Sequence, residues 1–285
     1  MTEFQKRLAF SLVAAPGAVA IVWFGGAALA VLLAVAAALA AFEFGHLGRD
    51  AGSRPLQEHG VVLAALVPLC VHAARLGLWA PPVSVLMLVV LEVLTVALWR
   101  RGATGRPLEA VGLTLFAVLY TGGMLSFAYA LRYHPYAVDA ASGTALVAFP
   151  LLLTWGTDIG GYVFGRWLGV RKLMPAVSPG KTVAGAVGGL IVAVVISVLF
   201  SRYALPRFAQ LTLLPSRAVL FGVLLSVGGQ IGDLVESMLK REAGVKDSSH
   251  LIPGHGGVLD RVDSMLFTLP LAYVLLSLML MPAPR

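Results

Sequence analysis

An all-α membrane protein with about nine transmembrane helices is the fold class this sequence predicts, and three observations predict it. Hydrophobic residues make up 59% of the chain and charged residues only 12%. The apolar residues fall into runs close to the roughly 20 residues that a helix needs to cross a hydrocarbon core. Between the runs lie short loops rich in arginine, and no polar stretch is long enough to form a separate soluble domain. Residues 1–285 therefore read as one transmembrane domain, with 1–140 as scaffold spans and 143–281 as the chemically equipped half.

The first run, 8–24, follows the charged start MTEFQKR and has the outline of a signal peptide. A second run, 26–44, begins almost at once, so the first is read as an uncleaved span. The third, 60–74, is short and fits a tilted or re-entrant element as well as a full crossing. The remaining runs are 82–99, 107–131, 143–165, 182–200, 216–239 and 264–281, with no convincing internal repeat. Placing the N-terminus inside puts fifteen of the 21 basic residues on the cytoplasmic side and six outside, as the positive-inside rule requires. Arg202, Arg207 and Arg217 crowd one outer loop against that rule.

The net charge of +7 does not argue for nucleic acid, because the basic residues sit in short loops between apolar runs. Cys70 is the single cysteine and lies inside an apolar run, so neither a disulfide framework nor a cysteine-based metal site can form within one chain.

Charge is concentrated late in the chain. Six of the 14 acidic residues lie between Asp233 and Asp263, and four of the five lysines between Lys172 and Lys246. Both clusters belong to the loops 166–182 and 240–263 and the span ends beside them. If the eighth span continues as a helix, Asp233, Glu236 or Ser237, and Lys240 share one face. Asp260 and Asp263, three apart near the start of the ninth span, project together as well. Such carboxylates are the hard oxygen ligands that magnesium takes, alongside waters and substrate phosphates. Lys240, Arg241, Lys246, His255 and Arg261 stand near them, with the glycines of PGHGG, where backbone N–H groups can approach an anion. Acids for a metal beside bases for phosphate are the equipment of phosphoryl or nucleotidyl transfer. Asp158 interrupts the sixth span in TWGTDIGGYVFGRWLG and is expected to face the same polar cavity. Gly156, Gly160, Gly161 and Gly165 there allow close helix packing or an opening for substrate. SPGKT, 178–182, lacks the upstream glycine spacing of a Walker loop.

Plainer roles stand beside these. The basic residues could be interfacial anchors, Asp260 or Asp263 could favour a helix N-terminus by their charge, and His255 could be a structural hydrogen-bonding group. Glu43 and Glu92, in early spans, read as interhelical hydrogen-bonding or dimer-contact groups.

The stretch SMLKREAGVKDSSHLIPGHGGVLDRVD, 237–263, resembles the signature of the phosphatidate cytidylyltransferase (CDP-diacylglycerol synthase) family. The resemblance rests on Ser237, Lys240-Arg241, Lys246-Asp247, Pro253, His255-Gly256-Gly257, Asp260-Arg261 and Asp263, and DIGGYVFGR from Asp158 and SPGKT from Ser178 agree with it. Ala184 departs from it, standing where many relatives carry Glu or Gln. The resemblance implies an enzyme that joins CTP and phosphatidic acid into CDP-diacylglycerol and pyrophosphate. It also implies magnesium, with potassium as the candidate second cation, a homodimer, and a bacterial inner membrane location with the site facing the cytoplasm.

In that chemistry the lipid phosphate attacks the α-phosphorus of CTP. Its second pKa is about 6, so no strong base is needed. Asp233, Asp260 and Asp263 would hold the metal, and Lys240, Arg241 and Lys246 would offset phosphate charge. Ser178, Lys181 and Thr182 would hold phosphate oxygens, with Ser237, Asp247, His255, Arg261 and Asp158 also lining the substrate site. A CTP-dependent polyprenol kinase shares much of this recipe. An ion-coupled transporter also buries acids in spans, but nearer the midplane than these span-end clusters.

Overall fold

A computed structural model describes residues 16–249, 251 and 256–283. It is helical almost throughout, and among the described residues eight helices are long and apolar enough to cross a membrane. They are α1 (Gly26–Asp50), α2 (Gln57–Arg75), α3 (Val83–Arg101), α4 (Pro107–Arg132), α5 (Ala140–Leu168), α6 (Val183–Ala209), α7 (Pro215–Glu242) and α8 (Leu259–Met279). The protein is an all-α polytopic membrane protein. Much of the span expected at 8–24 lies outside the described residues, and its part from residue 16 is helical. The short third run is a 19-residue helix, long enough to cross.

The described chain divides into two compact units. One comprises Met1–Tyr129 with Leu239–Val262, the other Ala130–Met238 with Asp263–Arg285. In the first unit, Leu56, Val93 and Ala97 form a small buried cluster, and Thr114 Oγ accepts the backbone N–H of Leu56 at 2.9 Å. Phe116 stacks on Tyr120 beside Phe44. A π-helical turn at Val118–Gly123 interrupts α4, and a Cβ on Gly122 would come within 3.0 Å of Ala64 Cα.

Hydroxyls bind the helices of the second unit together. Thr154 meets Thr268 at 3.1 Å, Thr157 meets Ser226 at 3.2 Å, and Ser197 donates to the Ala218 carbonyl at 2.6 Å. Lipid tails are as apolar as leucine, so such bonds and close backbone packing replace the hydrophobic drive of water-soluble folds. Glycines permit that packing between α5 and α6. A Cβ on Gly160 would stand 2.9 Å from the Gly188 carbonyl oxygen, and one on Gly185 would stand 2.6 Å from that of Gly161.

Two antiparallel strand pairs were not anticipated from the sequence. β1 (Lys172–Met174) pairs with β2 (Ser178–Thr182), so SPGKT is a strand leading into α6. β3 (Leu211–Thr212) pairs with β4 (Met281–Pro282). Arg217, one of the arginines that sat badly with the positive-inside count, donates to the Met279 carbonyl at 3.0 Å and so satisfies the C-terminal end of α8. Its position follows from a local hydrogen-bonding need.

Candidate functional site

The second unit contains a cavity of about 530 Å³. Its walls come from the last turns of α5, the end of β2 with the start of α6, and the C-terminal part of α7. The hairpin sets up one wall. Val183 N–H donates to the Arg171 carbonyl at 2.9 Å, closing the hairpin against the chain that leaves α5. Thr182 is extended, and its hydroxyl accepts Gly185 N–H at 3.1 Å, so it is the N-cap of α6. Lys181, one residue earlier, projects into the cavity.

Lys181 Nζ stands 2.6 Å from Asp233 Oδ2, with the two side chains 26% and 32% exposed. The contact is an ion pair whose angles fall outside those of a hydrogen bond. Nζ itself is shut away from solvent and makes no hydrogen bond among the described residues. The ammonium therefore has donors to offer an acceptor entering the cavity. Asp158 and Arg166 from α5 line the same space, and Arg166 donates to the Tyr162 hydroxyl at 3.0 Å. Gln230 also lines it, fixed by donation to the Ala186 carbonyl at 3.2 Å. Ser237 follows Asp233 by one helical turn, its hydroxyl 3.4 Å from Asp233 Oδ1, as the helical spacing predicted.

A second polar cluster belongs to the first unit. The Asp260 carboxylate accepts from Lys240 Nζ at 2.7 Å, from Ser248 N–H at 3.0 Å, from the Ser248 hydroxyl at 3.0 Å and from Gly257 N–H at 2.8 Å. Lys240 and Asp260 are 12% and 8% exposed. A charge taken this far from water needs both an opposite charge and hydrogen bonds on its remaining lone pairs, and Asp260 has both. Glu43, from α1, is fully buried beside it. It accepts from the Ser249 hydroxyl at 2.6 Å, the Ser248 hydroxyl at 3.2 Å, Val258 N–H at 3.0 Å and Leu259 N–H at 2.7 Å.

Those last two donors explain why α8 begins at Leu259, earlier than the apolar run at 264. A carboxylate satisfies the orphan N–H groups of the first turn and favours the positive end of the helix. The glycines have a steric reason too. Gly256 has φ of 79°, and a Cβ there would sit 2.7 Å from Asp260 Oδ2, while one on Gly257 would run into Ser248 and Glu43.

Of the residues singled out from sequence, Asp158, Lys181, Thr182 and Asp233 share the 530 Å³ cavity, and Ser237 hydrogen-bonds Asp233. Lys240 and Asp260 pair in the first unit. Ser178 lies in β2, whose residues Gly180 to Thr182 reach the cavity lining. Asp263 is on α8, where its Oδ1 accepts the N–H of Ser264. Arg241 donates to the Val245 carbonyl at 3.2 Å and is exposed, as are Lys246, Asp247 and Arg261. His255 lies outside the described residues. No group of three or more His, Cys, Asp or Glu placed to hold a metal occurs among the described residues. Glu92, the other early acid, faces His59 at 3.4 Å.

Sequence reading missed the part Glu43 plays. A carboxylate inside the run VAAALAAFEFGHL was itself the available signal, because ionisable groups in spans are costly and commonly functional. Gln230, in the apolar run of α7, gave a weaker signal of the same kind.

These features define a polytopic helical membrane protein with a cavity that presents an ammonium, a guanidinium and two carboxylates near its helix ends. The chain belongs to the cytidylyltransferase family, whose sequence profile matches residues 5–279. It is 41% identical over 170 residues to a phosphatidate cytidylyltransferase of Bacillus subtilis, covering 60% of each chain. It is 41% identical over 162 residues to one of Staphylococcus haemolyticus, covering 57% of each. With that of Haemophilus influenzae it shares 46% identity over 144 residues, 49% of this chain and 48% of the relative. The chain thus spans between about half and three fifths of the length of these relatives.

Proposed function

We propose that this protein transfers a cytidylyl group from CTP to phosphatidic acid, forming CDP-diacylglycerol and pyrophosphate, at a site facing the cytoplasm in a bacterial inner membrane. The relatives named phosphatidate cytidylyltransferase support the reading. The observation that carries it is the Lys181 ammonium, shut from solvent against Asp233 with donors still uncommitted in a cavity that Asp158 and Arg166 also line. A triphosphate is the kind of ligand such a cavity suits, because Lys181 and Arg166 offset its charge while the carboxylates take a cation.

The donor set fits magnesium. That ion keeps several waters and needs one or two carboxylates beside phosphate oxygens. Asp233 and Asp158 would hold it, and its contribution would be to neutralise charge on the triphosphate. Asp260 and Asp263 are the further ligands expected from sequence. For Asp260 to serve, Lys240 must give up its 2.7 Å contact. Potassium as a second cation and a homodimer remain part of the proposal.

The reaction forms a bond between a phosphatidate oxygen and the α-phosphorus, and breaks the bond from that phosphorus to the β-phosphate oxygen. The phosphomonoester is largely ionised near neutral pH, its second pKa being about 6, so the chain's task is to hold two anions together. Lys181 and Arg166 reduce their repulsion, and Thr182 and Ser178 sit on the segment that presents Lys181. The related names do not favour the lipid-alcohol kinase alternative.

The test supplies the purified chain with labelled CTP, phosphatidic acid and magnesium. The expected products are a CDP-lipid and pyrophosphate in equal amounts. Phosphorylation of a polyprenol instead, with no CDP-lipid, overturns the proposal.

A further inference from the structure

The first unit holds a cavity of its own, about 790 Å³, where α1 ends, α2 begins and α3 ends. Four arginines line it, Arg49, Arg54, Arg100 and Arg101, with Glu58 as the one acid in the lining. Asp50 is exposed at the end of α1 but does not line the cavity.

The four guanidinium groups are committed differently. Arg101 donates to the carbonyls of Arg54 and Pro55, both at 3.0 Å, and so fixes the chain between α1 and α2. Arg100 pairs with Glu58 at 3.1 Å. Arg49 and Arg54 have no side-chain hydrogen bond or ion pair among the described residues, and both are exposed. Two guanidinium groups are thus held at a cavity mouth with their donors unspent.

The other wall is apolar. Phe42 and Val62 line the cavity from within the span segments of α1 and α2, and they are 41% and 58% exposed. Arginines that merely anchor helix ends would border water, and a site for a soluble anion would have no use for a hydrocarbon wall. A ligand with a phosphate at one end and acyl chains at the other satisfies both walls. Gln57 adds a detail. Its Oε1 is buried without a hydrogen-bond partner in the same lining, an acceptor suited to a headgroup hydroxyl.

We infer that this cavity binds an anionic glycerophospholipid, with the phosphate between Arg49 and Arg54 and the acyl chains along Phe42 and Val62. The site is separate from the Lys181–Asp233 cavity and does not depend on what that cavity catalyses.

The experiment measures thermal unfolding of the full chain in neutral detergent while phosphatidylglycerol, phosphatidylcholine or inorganic phosphate is added. Phosphatidylglycerol is expected to raise the melting temperature, and the other two are not. In Arg49→Ala/Arg54→Ala the apparent dissociation constant for phosphatidylglycerol is expected to weaken about tenfold, the scale of two lost charge-assisted bonds. The charge-matched Arg202→Ala/Arg207→Ala is expected to keep wild-type lipid affinity, and Arg49→Lys/Arg54→Lys to recover part of the loss. Equal weakening in both double alanine variants would reduce the effect to net charge and overturn the inference. So would an unchanged affinity in the first, or stabilisation by inorganic phosphate matching that by lipid.

Discussion

Glu43 accepts the backbone N–H of Leu259 at 2.7 Å across 216 positions of sequence. A carboxylate from the first described span thereby holds the start of the last one, and through Ser248 and Ser249 it also holds the loop that carries the family signature. Glu43→Gln keeps the shape but turns one acceptor oxygen into a donor facing N–H and O–H groups. The expected cost is about 2–4 kcal/mol, from lost charge-assisted bonds and a mispaired buried amide. Denaturant unfolding in detergent reads that cost. Wild-type stability in the variant would mean the loop is held by something else.

The pair Lys181 and Asp233 allows a test of coupling. If both act on one bound triphosphate, Lys181→Ala and Asp233→Asn each lower kcat/KM by about 100-fold or more, the scale of losing a charge-stabilising group. The double variant then loses much less than the product of the two, because groups that act as a unit are not additive. Multiplicative losses would show the two residues working independently.

Asp260 sits within four short contacts, so its removal has two effects that can be separated. Asp260→Asn strands the 12%-exposed Lys240 without its counter-charge, and breaking a buried pair this way costs about 3–5 kcal/mol. Lys240→Met/Asp260→Asn removes both charges and is expected to recover part of that stability. Turnover is expected to stay abolished in both variants. Most activity surviving in Asp260→Asn would remove Asp260 from the site.

What the sequence disclosed divides along physical lines. Apolar runs near the length of a bilayer crossing are unmistakable, so the spans were legible, and so was the face shared by Asp233 and Ser237, which needs only helical periodicity. The hairpin at 172–182 was not legible. Its strands are three and five residues long and too short to show alternation. The bonds from Glu43 to Ser248 and Leu259 were also hidden, since a single sequence reports that a buried acid needs partners and not which loop, over two hundred residues away, supplies them.

The glycine contact of α5 with α6 sets one wall of the cavity. Gly160→Val would place a Cβ 2.9 Å from the Gly188 carbonyl oxygen and 3.0 Å from Gly189 Cα, both backbone atoms that cannot turn aside. The helices must separate, at a cost of roughly 1–3 kcal/mol or more, and Lys181 moves away from Asp233. Gly180→Ala, where nothing lies within 4 Å of the added Cβ, is the matched control and is expected to be tolerated. A Gly160→Val protein with normal melting and normal KM for CTP would show that the close approach does not shape the site.

His134, between α4 and α5, supplies a pH dependence with a definite sign. It is buried, its Nε2 lies 2.9 Å from the Ser277 hydroxyl, and its Nδ1 accepts the N–H of Tyr136 at 3.3 Å. Nδ1 is therefore the acceptor, and protonating it breaks that bond and puts a charge in a buried place. Burial accordingly lowers the pKa below the ordinary 6.5. A group whose folded pKa is depressed binds protons more readily in the unfolded chain, so its contribution is complete above about 6.5 and is lost as pH falls below that value. Melting temperatures measured between pH 7.5 and pH 5 should fall in the wild type. The fall should be smaller in His134→Gln, which has no proton to take up. Parallel curves for the two proteins would show that another group sets the acid sensitivity, and a steeper fall in the variant would reverse the sign argued from the Tyr136 bond.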